Sequence, residues 1–246
     1  MLDRFYCPEP PVDGRARLEG DEARHLIKVR RVVPGESVEL FDGRGSAFRA
    51  EVVELGRDRV ELAVVASLPT SRGPACSLTL ATAVPKGDRF DWLVEKATEL
   101  GVARLVPLVA ERSVVDPRAA KLDRLRRAIV EASKQCRRDV LMELDRPTRW
   151  ASLVGSSRES VRLVAHPGAR GIAASGLRLG GASAILAIGP EGGFTEDEVN
   201  RAVEAGWVAV GLGRTILRVE TAGLAGCSTL LALAEADSGS SETKGA

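Results

Sequence analysis

Five apolar runs constrain the fold more than any other feature of the chain: "SLTLATAV", "RLVPLV" (104–109), "VRLVAH" (161–166), "ASAILAIG" (182–189) and "WVAVGLG" (207–213). Each has the length of a strand, and none keeps a strict apolar–polar alternation. A strand with one wet face needs that alternation, whereas a strand without it is buried on both faces. Helical patterns lie between the runs. "DRFDWLVEKATELG" (88–101) puts Phe90, Leu93, Val94, Ala97 and Leu100 on one side and stops at Gly101. "RAAKLDRLRRAIVEASKQCRR" (118–138), "TEDEVNRAVEAG" (195–206) and "TAGLAGCSTLLALAEA" (221–236) continue the rhythm. Doubly buried strands alternating with helices describe an open, mostly parallel α/β sheet.

The beginning of the chain follows a different period. "SVELFDGRGSAFRAEVVEL" reads as a strand, a turn at Asp42-Gly43 and a second strand, and "DRVELAVVAS" as a third. "DEARHLIKVRRV" (21–32) reads as a helix that Asp21 caps, with His25 on its packed side. Short strands and one helix suggest a small barrel over residues 1–70. "LPTSRGPA" is rich in turn formers, which sets a linker at 71–75 and the α/β domain at 76–236. The tail "DSGSSETKGA" (237–246) lacks apolar residues and is expected to be disordered. Trp92 and Trp207 are expected in the core.

Composition excludes several classes. A net charge of +1 gives no global attraction to nucleic acid, so any such contact must be a local patch. The four cysteines, Cys7, Cys76, Cys136 and Cys227, are widely spaced, which fits free thiols in a reducing, cytoplasmic setting rather than a disulfide framework. Two histidines are too few for a His-rich metal site, so no metal is expected. No apolar run is long enough to span a membrane, and "MLDRFYCPEP" does not read as a signal peptide.

Chemistry concentrates in two glycine-bearing loops. "AIGPEGGFTEDEV" (187–199) leaves a strand and enters a helix, where Gly189, Gly192 and Gly193 let backbone approach a ligand. It matches neither a dinucleotide fingerprint nor a phosphate loop, and Glu191 disfavours a phosphate. Its plain reading is a tight turn, with Thr195 and Glu198 as a capping box. "GLGRTILRVETAG" (211–223) also leaves a strand and enters a helix. It carries Arg214, Arg218 and Glu220 among Ile216, Leu217 and Val219. Two such loops at one end of a sheet make a pocket.

"IGPEGGFTEDEV" and "LGRTILRVETA" closely resemble the two C-terminal signatures of the ribosomal RNA small subunit methyltransferase E family, within the knotted SPOUT superfamily. "HLIKVRRVVPGE", "KGDRFDWLVEKATELGVARLVPL", "ERSVV", "EASKQCRR" and "LVAHP" fall in that family's order. One departure is "DVLMEL", where such proteins often carry a Val-Pro pair. The resemblance implies a C-terminal SPOUT domain with a deep trefoil knot and a mostly parallel sheet. It implies a PUA-like RNA-binding barrel before it, and a homodimer. It implies transfer of a methyl group from S-adenosylmethionine to N3 of a uridine in 16S ribosomal RNA, in the 30S subunit.

The cofactor's reactive end is a sulfonium, so it calls for backbone donors and apolar walls rather than a phosphate cradle. The residues carried over for it are Leu163 and His166 in the first loop and Ile188, Gly189, Pro190, Glu191, Gly192 and Gly193 in the second. Leu212, Gly213, Ile216, Leu217 and Thr221 come from the third. Arg218 would stabilise negative charge on the uracil oxygens, and Glu220 would accept the proton or orient Arg218. RNA contacts are expected from Lys28, Arg30 and Arg31; from Lys86 and Arg89; and from Arg126, Arg127, Arg137 and Arg138 on the long basic helix, with Arg214 and a stacking ring such as Phe194. That basic helix also reads as a solvated face. Two rival functions stay open: methylation of a ribose 2′-hydroxyl, and a non-catalytic RNA-binding assembly factor.

Overall fold

The computed structural model describes residues 2–70, 73–115, 119–172 and 175–242. Residues 71–72 of the expected linker, Arg118 of the basic helix and 243–246 of the tail lie outside the described residues. The chain divides into two units: Met1–Arg72 with Ser133–Leu141, and Gly73–Ala132 with Met142–Ala246.

The first unit holds β1 (Arg4–Tyr6), β2 (Arg15–Glu19), α1 (Gly20–Arg24), β3 (Ser37–Phe41), β4 (Ala47–Leu55) and β5 (Arg59–Ser67). They form one five-stranded sheet in the order β1-β3-β4-β5-β2, antiparallel except for β1 with β3. Register shifts at Arg49/Ala50 and Val52/Glu54 curl it, as bulges do. The Asp42 carboxylate accepts N–H bonds from Arg44 and Ser46 at 2.7 and 2.9 Å, closing the expected hairpin turn. β1 and β2 are too short to show a period, and the sequence does not announce them. The expected helix over 21–32 is α1 followed by a π-helical turn, His25–Arg30, which ends at Arg31 with φ 54°. Asp21 does not cap it, since its carboxylate pairs with Arg24. Phe5, Leu18, Leu26, Leu40 and Leu62 fill the core, and His25 packs edge-on against Phe5 at 5.9 Å.

Ser133–Leu141 completes this unit with buried charge. Arg4 pairs with Asp139 and lies 3.2 Å from Glu39, and Arg137 pairs with Glu39. Arg4, Glu39 and Asp139 are all buried. Charges removed from water persist only when matched this way.

The second unit contains β6 (Ser77–Ala83), α2 (Arg89–Leu100), β7 (Arg104–Val109), α3 (Ala119–Cys136, whose last turn belongs to the first unit), β8 (Glu143–Leu144), β9 (Thr148–Arg149), α4 (Trp150–Ser156), β10 (Val161–Ala165), β11 (Ser183–Ile188), α5 (Glu196–Glu204), β12 (Val208–Val210) and α6 (Val219–Glu242). The sheet order is β12-β10-β11-β6-β7-β8, with β9 also on β7, and every pairing is parallel. Phe90, Leu93, Val94 and Ala97 of α2 are buried as its spacing requires, and Gly101 ends the helix at φ 95°. Leu100 and Trp92 are exposed instead of packed, at 38% and 47%. Trp207 is buried against Trp150.

α6 corrects the reading of the tail. The helix runs on to Glu242 because Asp237 is anchored: it accepts the Leu179 N–H at 2.8 Å and an Arg178 N–H at 2.9 Å. Farther up, Gly226 lies so close to Leu186 of β11 that a β-carbon there would collide with it. The cysteines are all free thiols; three are buried, and burial pushes the Cys227 thiol up to about 12. Among the described residues no helix is long and apolar enough to cross a membrane, and no cluster of His, Cys, Asp or Glu is placed to hold a metal ion.

Candidate active site

β10, β11 and β12 are neighbours in the sheet and all point the same way. The loops that leave their carboxyl ends therefore converge, the usual location of a ligand site in an open parallel sheet. Residues 165–168 after β10, Ile188 to Gly193 after β11, and 212–217 after β12 line one cavity of about 360 Å³. Val219 and Ala222 of α6 complete the wall. The lining is chiefly backbone and aliphatic carbon.

The second loop is a turn with no spare room. Gly193 N–H donates to Pro190 O at 2.8 Å. A β-carbon on Gly189 would stand 3.0 Å from the Phe194 nitrogen and ring, so a larger residue would have to displace them. Phe194 is buried on Trp150 at 4.7 Å between ring centres. It supports the turn from below, which corrects its expected role as an RNA-stacking ring. Thr195 and Glu198 do form the capping box: Thr195 Oγ1 accepts the Glu198 N–H at 3.2 Å, and Glu198 accepts the Thr195 N–H at 2.9 Å. The plain reading and the pocket reading of this motif thus describe the same turn.

The first and third loops are tied together. His166 N–H donates to Val210 O at 3.0 Å, Gly211 N–H to Arg170 O at 2.8 Å, and Ile172 N–H to Gly211 O at 2.9 Å. His166 Nε2 also lies 3.8 Å from the exposed Glu196 carboxylate. In the third loop Leu212 and Leu217 are half-buried, Gly213 and Arg214 are exposed, and Ile216 is 93% exposed.

The cofactor residues carried over from the resemblance therefore line the cavity, with two exceptions. Leu163 is paired within the sheet to Leu186 and Val208 and fully buried, short of the strand end. Thr221 is exposed on α6 and is not part of the wall. Sequence reasoning missed Val219 and Ala222, since the apolar side of a helix start gives no pocket signal.

Arg218 is exposed beside the cavity, and its carbonyl accepts the Ala222 N–H at 2.8 Å as α6 begins. Glu220 is 6% exposed, with Oε1 3.6 Å from Arg89 Nη1. Arg89 in turn donates through Nε to Lys86 O at 3.1 Å. Glu220 thus faces Arg89 and does not line the cavity. Its Oε2 is buried without a hydrogen-bond partner among the described residues.

The expected RNA contacts are dispersed. Lys28 and Arg31 are exposed, whereas Arg30 is paired with Asp3. On α3, Arg126 pairs with Asp123 at 2.7 Å and Arg127 is exposed. Arg137 is engaged by Glu39, and burial pulls the Arg138 guanidinium below its usual value. Lys86 and Arg214 are exposed in the second unit.

Comparisons with known proteins agree with this geometry. The RNA methyltransferase domain family matches residues 72–231, and the RNA methyltransferase PUA domain matches 18–65. A ribosomal RNA small subunit methyltransferase E of Mycobacterium tuberculosis is 35% identical over 230 residues, 89% of this chain and 87% of the relative. One from Bacillus subtilis is 31% identical over 227 residues, 87% of this chain and 88% of the relative. A crystal structure of the Neisseria gonorrhoeae enzyme of that name, bound to S-adenosyl methionine, superposes with a TM-score of 0.86 at 33% identity, covering 95% of this chain and 98% of that one. Likeness that runs through both units and along nearly the whole chain makes this protein a member of the ribosomal RNA small subunit methyltransferase E family.

Proposed function

We propose that the protein transfers a methyl group from S-adenosylmethionine to N3 of a uridine in 16S ribosomal RNA, acting on the 30S subunit in the cytoplasm. The observation that carries this reading is the cavity built by loops from three adjacent parallel strands. Its chemistry suits the cofactor. Gly189, Gly192 and Gly193 let the backbone of the turn form the wall without side chains in the way, and Ile188, Leu212, Leu217 and Val219 offer apolar surface to an adenine.

S-adenosylmethionine supplies a methyl group on a positively charged sulfur, which needs no further activation. Transfer would exchange the methyl group's bond to sulfur for a bond to N3, S-adenosylhomocysteine would leave, and N3 would give up its proton. The protein's share is alignment and charge. Arg218 holds a guanidinium where the uracil oxygens become negative. The Arg89–Glu220 pair fixes the first turn of α6, and through it the backbone of Arg218.

The same reading includes a knotted path through the interlocked first and third loops. It includes a homodimer in which a second copy covers Ile216. The test is transfer of labelled methyl to 30S subunits and to naked 16S RNA, followed by nucleoside analysis. Label in 3-methyluridine is expected. Label on a ribose 2′-hydroxyl, or none with cofactor bound, would overturn the reaction named here.

A further inference from the structure

Arg112 lies in the loop that follows β7, outside the cavity wall. Two bonds hold that loop against the second cavity loop. Arg112 Nη1 donates to Gly192 O at 2.7 Å, and the Glu111 N–H donates at 2.9 Å to Glu198, the carboxylate that caps α5. The loop is closed on itself, since Ala110 N–H donates to Ser113 Oγ at 2.9 Å and Ser113 N–H to Ala110 O at 3.0 Å. The stem of Arg112 lies flat on Gly192, whose β-carbon position is 3.3 Å from Arg112 Cδ.

Arg112 is exposed, and no carboxylate pairs with it among the described residues. Holding one carbonyl uses one of a guanidinium's several N–H donors. The remaining donors form the planar fork that suits phosphate oxygens. A single side chain therefore joins a wall of the cavity to a position open to a polyanion.

We propose that Arg112 couples RNA to the cofactor: one N–H fixes the Gly192 carbonyl while the others take a backbone phosphate of the RNA. This rests on the methyltransferase reading of the cavity. Its consequence is linkage. RNA tightens cofactor binding, and the cofactor tightens RNA binding by the same factor.

The experiment measures the affinity of S-adenosylhomocysteine, which cannot react, by calorimetry with and without saturating 16S RNA. RNA affinity is followed across salt in parallel. The wild type is expected to show a coupling factor of about fivefold or more. Arg112→Ala brings it close to one and lowers the salt slope of RNA binding by about one. The Glu111 N–H to Glu198 carboxylate bond does not involve the Arg112 side chain, so the loop stays in place in this variant. Arg112→Lys keeps the slope but loses the coupling, because an ammonium cannot hold carbonyl and phosphate in one rigid plane; it carries the test should Arg112→Ala not fold.

A merely structural arginine would lower melting temperature and basal cofactor affinity while leaving the coupling factor unchanged, and that result overturns the proposal. So does a wild type that methylates RNA without any coupling. A wild type that neither binds S-adenosylhomocysteine nor methylates RNA overturns the reading of the cavity itself, and this proposal with it.

Discussion

Gly189 and Gly192 belong to one motif but meet different walls. The β-carbon of an alanine at 189 would press on the Phe194 backbone, whereas at 192 it would press on the flexible stem of Arg112. Overpacking against a rigid neighbour costs about 1–3 kcal/mol. Gly189→Ala is therefore expected to cost about 1–3 kcal/mol in denaturant unfolding, and Gly192→Ala far less. Glycine spacing alone does not rank these two positions, because the deciding atoms come from Phe194 and Arg112. Arg218→Ala is expected to slow single-turnover methylation by about 10²–10³ with cofactor affinity unchanged; a wild-type rate would remove its electrostatic role. Glu220→Gln leaves Arg89 a neutral partner. A moderate loss of turnover, the same at every pH, is expected from a positioning carboxylate, whereas partial rescue at high pH would make Glu220 the base. The sequence allowed either role for Glu220, since Arg218 is its near neighbour in the chain and Arg89 is remote.

Elements long enough to show a period were legible. β7 follows from its unbroken apolar run, and the buried side of α2, Leu100 apart, from its apolar spacing. Short elements were not: α4 contributes Trp150, Leu153 and Val154 to the core from one brief helix with no sustained pattern. The end of α6 failed for a different reason. Lack of apolar residues argued for disorder, but the helix is held by a polar anchor, which composition does not weigh. The Leu179 N–H and the Arg178 guanidinium keep the Asp237 carboxyl below its usual value. A depressed folded-state value stabilises above the unfolded one, so the contribution is complete above about pH 4 and fades as pH falls through the folded value. Asp237→Asn should therefore lower the melting temperature at pH 7, with the gap closing toward pH 2. A gap that does not change with pH would mean the carboxylate charge plays no part.

For the molecule as a whole, the charges decide how it meets RNA. Arg126 is already paired with Asp123, so replacing Arg126 and Arg127 together with alanine should lower the salt slope of RNA binding by about one unit rather than two. A drop of two would show that RNA breaks the Arg126–Asp123 pair. The acidic partners of the long basic helix are scattered along the chain, Asp91 for Arg124 and Glu22 for Lys134; Arg137 and Arg138, expected on the helix, lie beyond its end at Cys136, where Arg137 turns with φ 61° and pairs with Glu39. Stability of the first unit depends on such a partner. Removing one member of a buried ion group costs about 3–5 kcal/mol, so Asp139→Ala, which leaves Arg4 only Glu39, a carboxylate it shares with Arg137, should cost up to that much in denaturant unfolding of this unit. The same buried group bears on how the chain can be cut and inherited. A boundary drawn near residue 72 looks like a seam between exchangeable modules. A first unit transplanted at that seam would leave Asp139 and Arg137 behind and carry the Arg4–Glu39 pair into its new host without the two charges that complete the group. Recombination between relatives succeeds here only if the stretch around 133–141 travels with the N-terminal strands, so two segments far apart in the gene must vary as one.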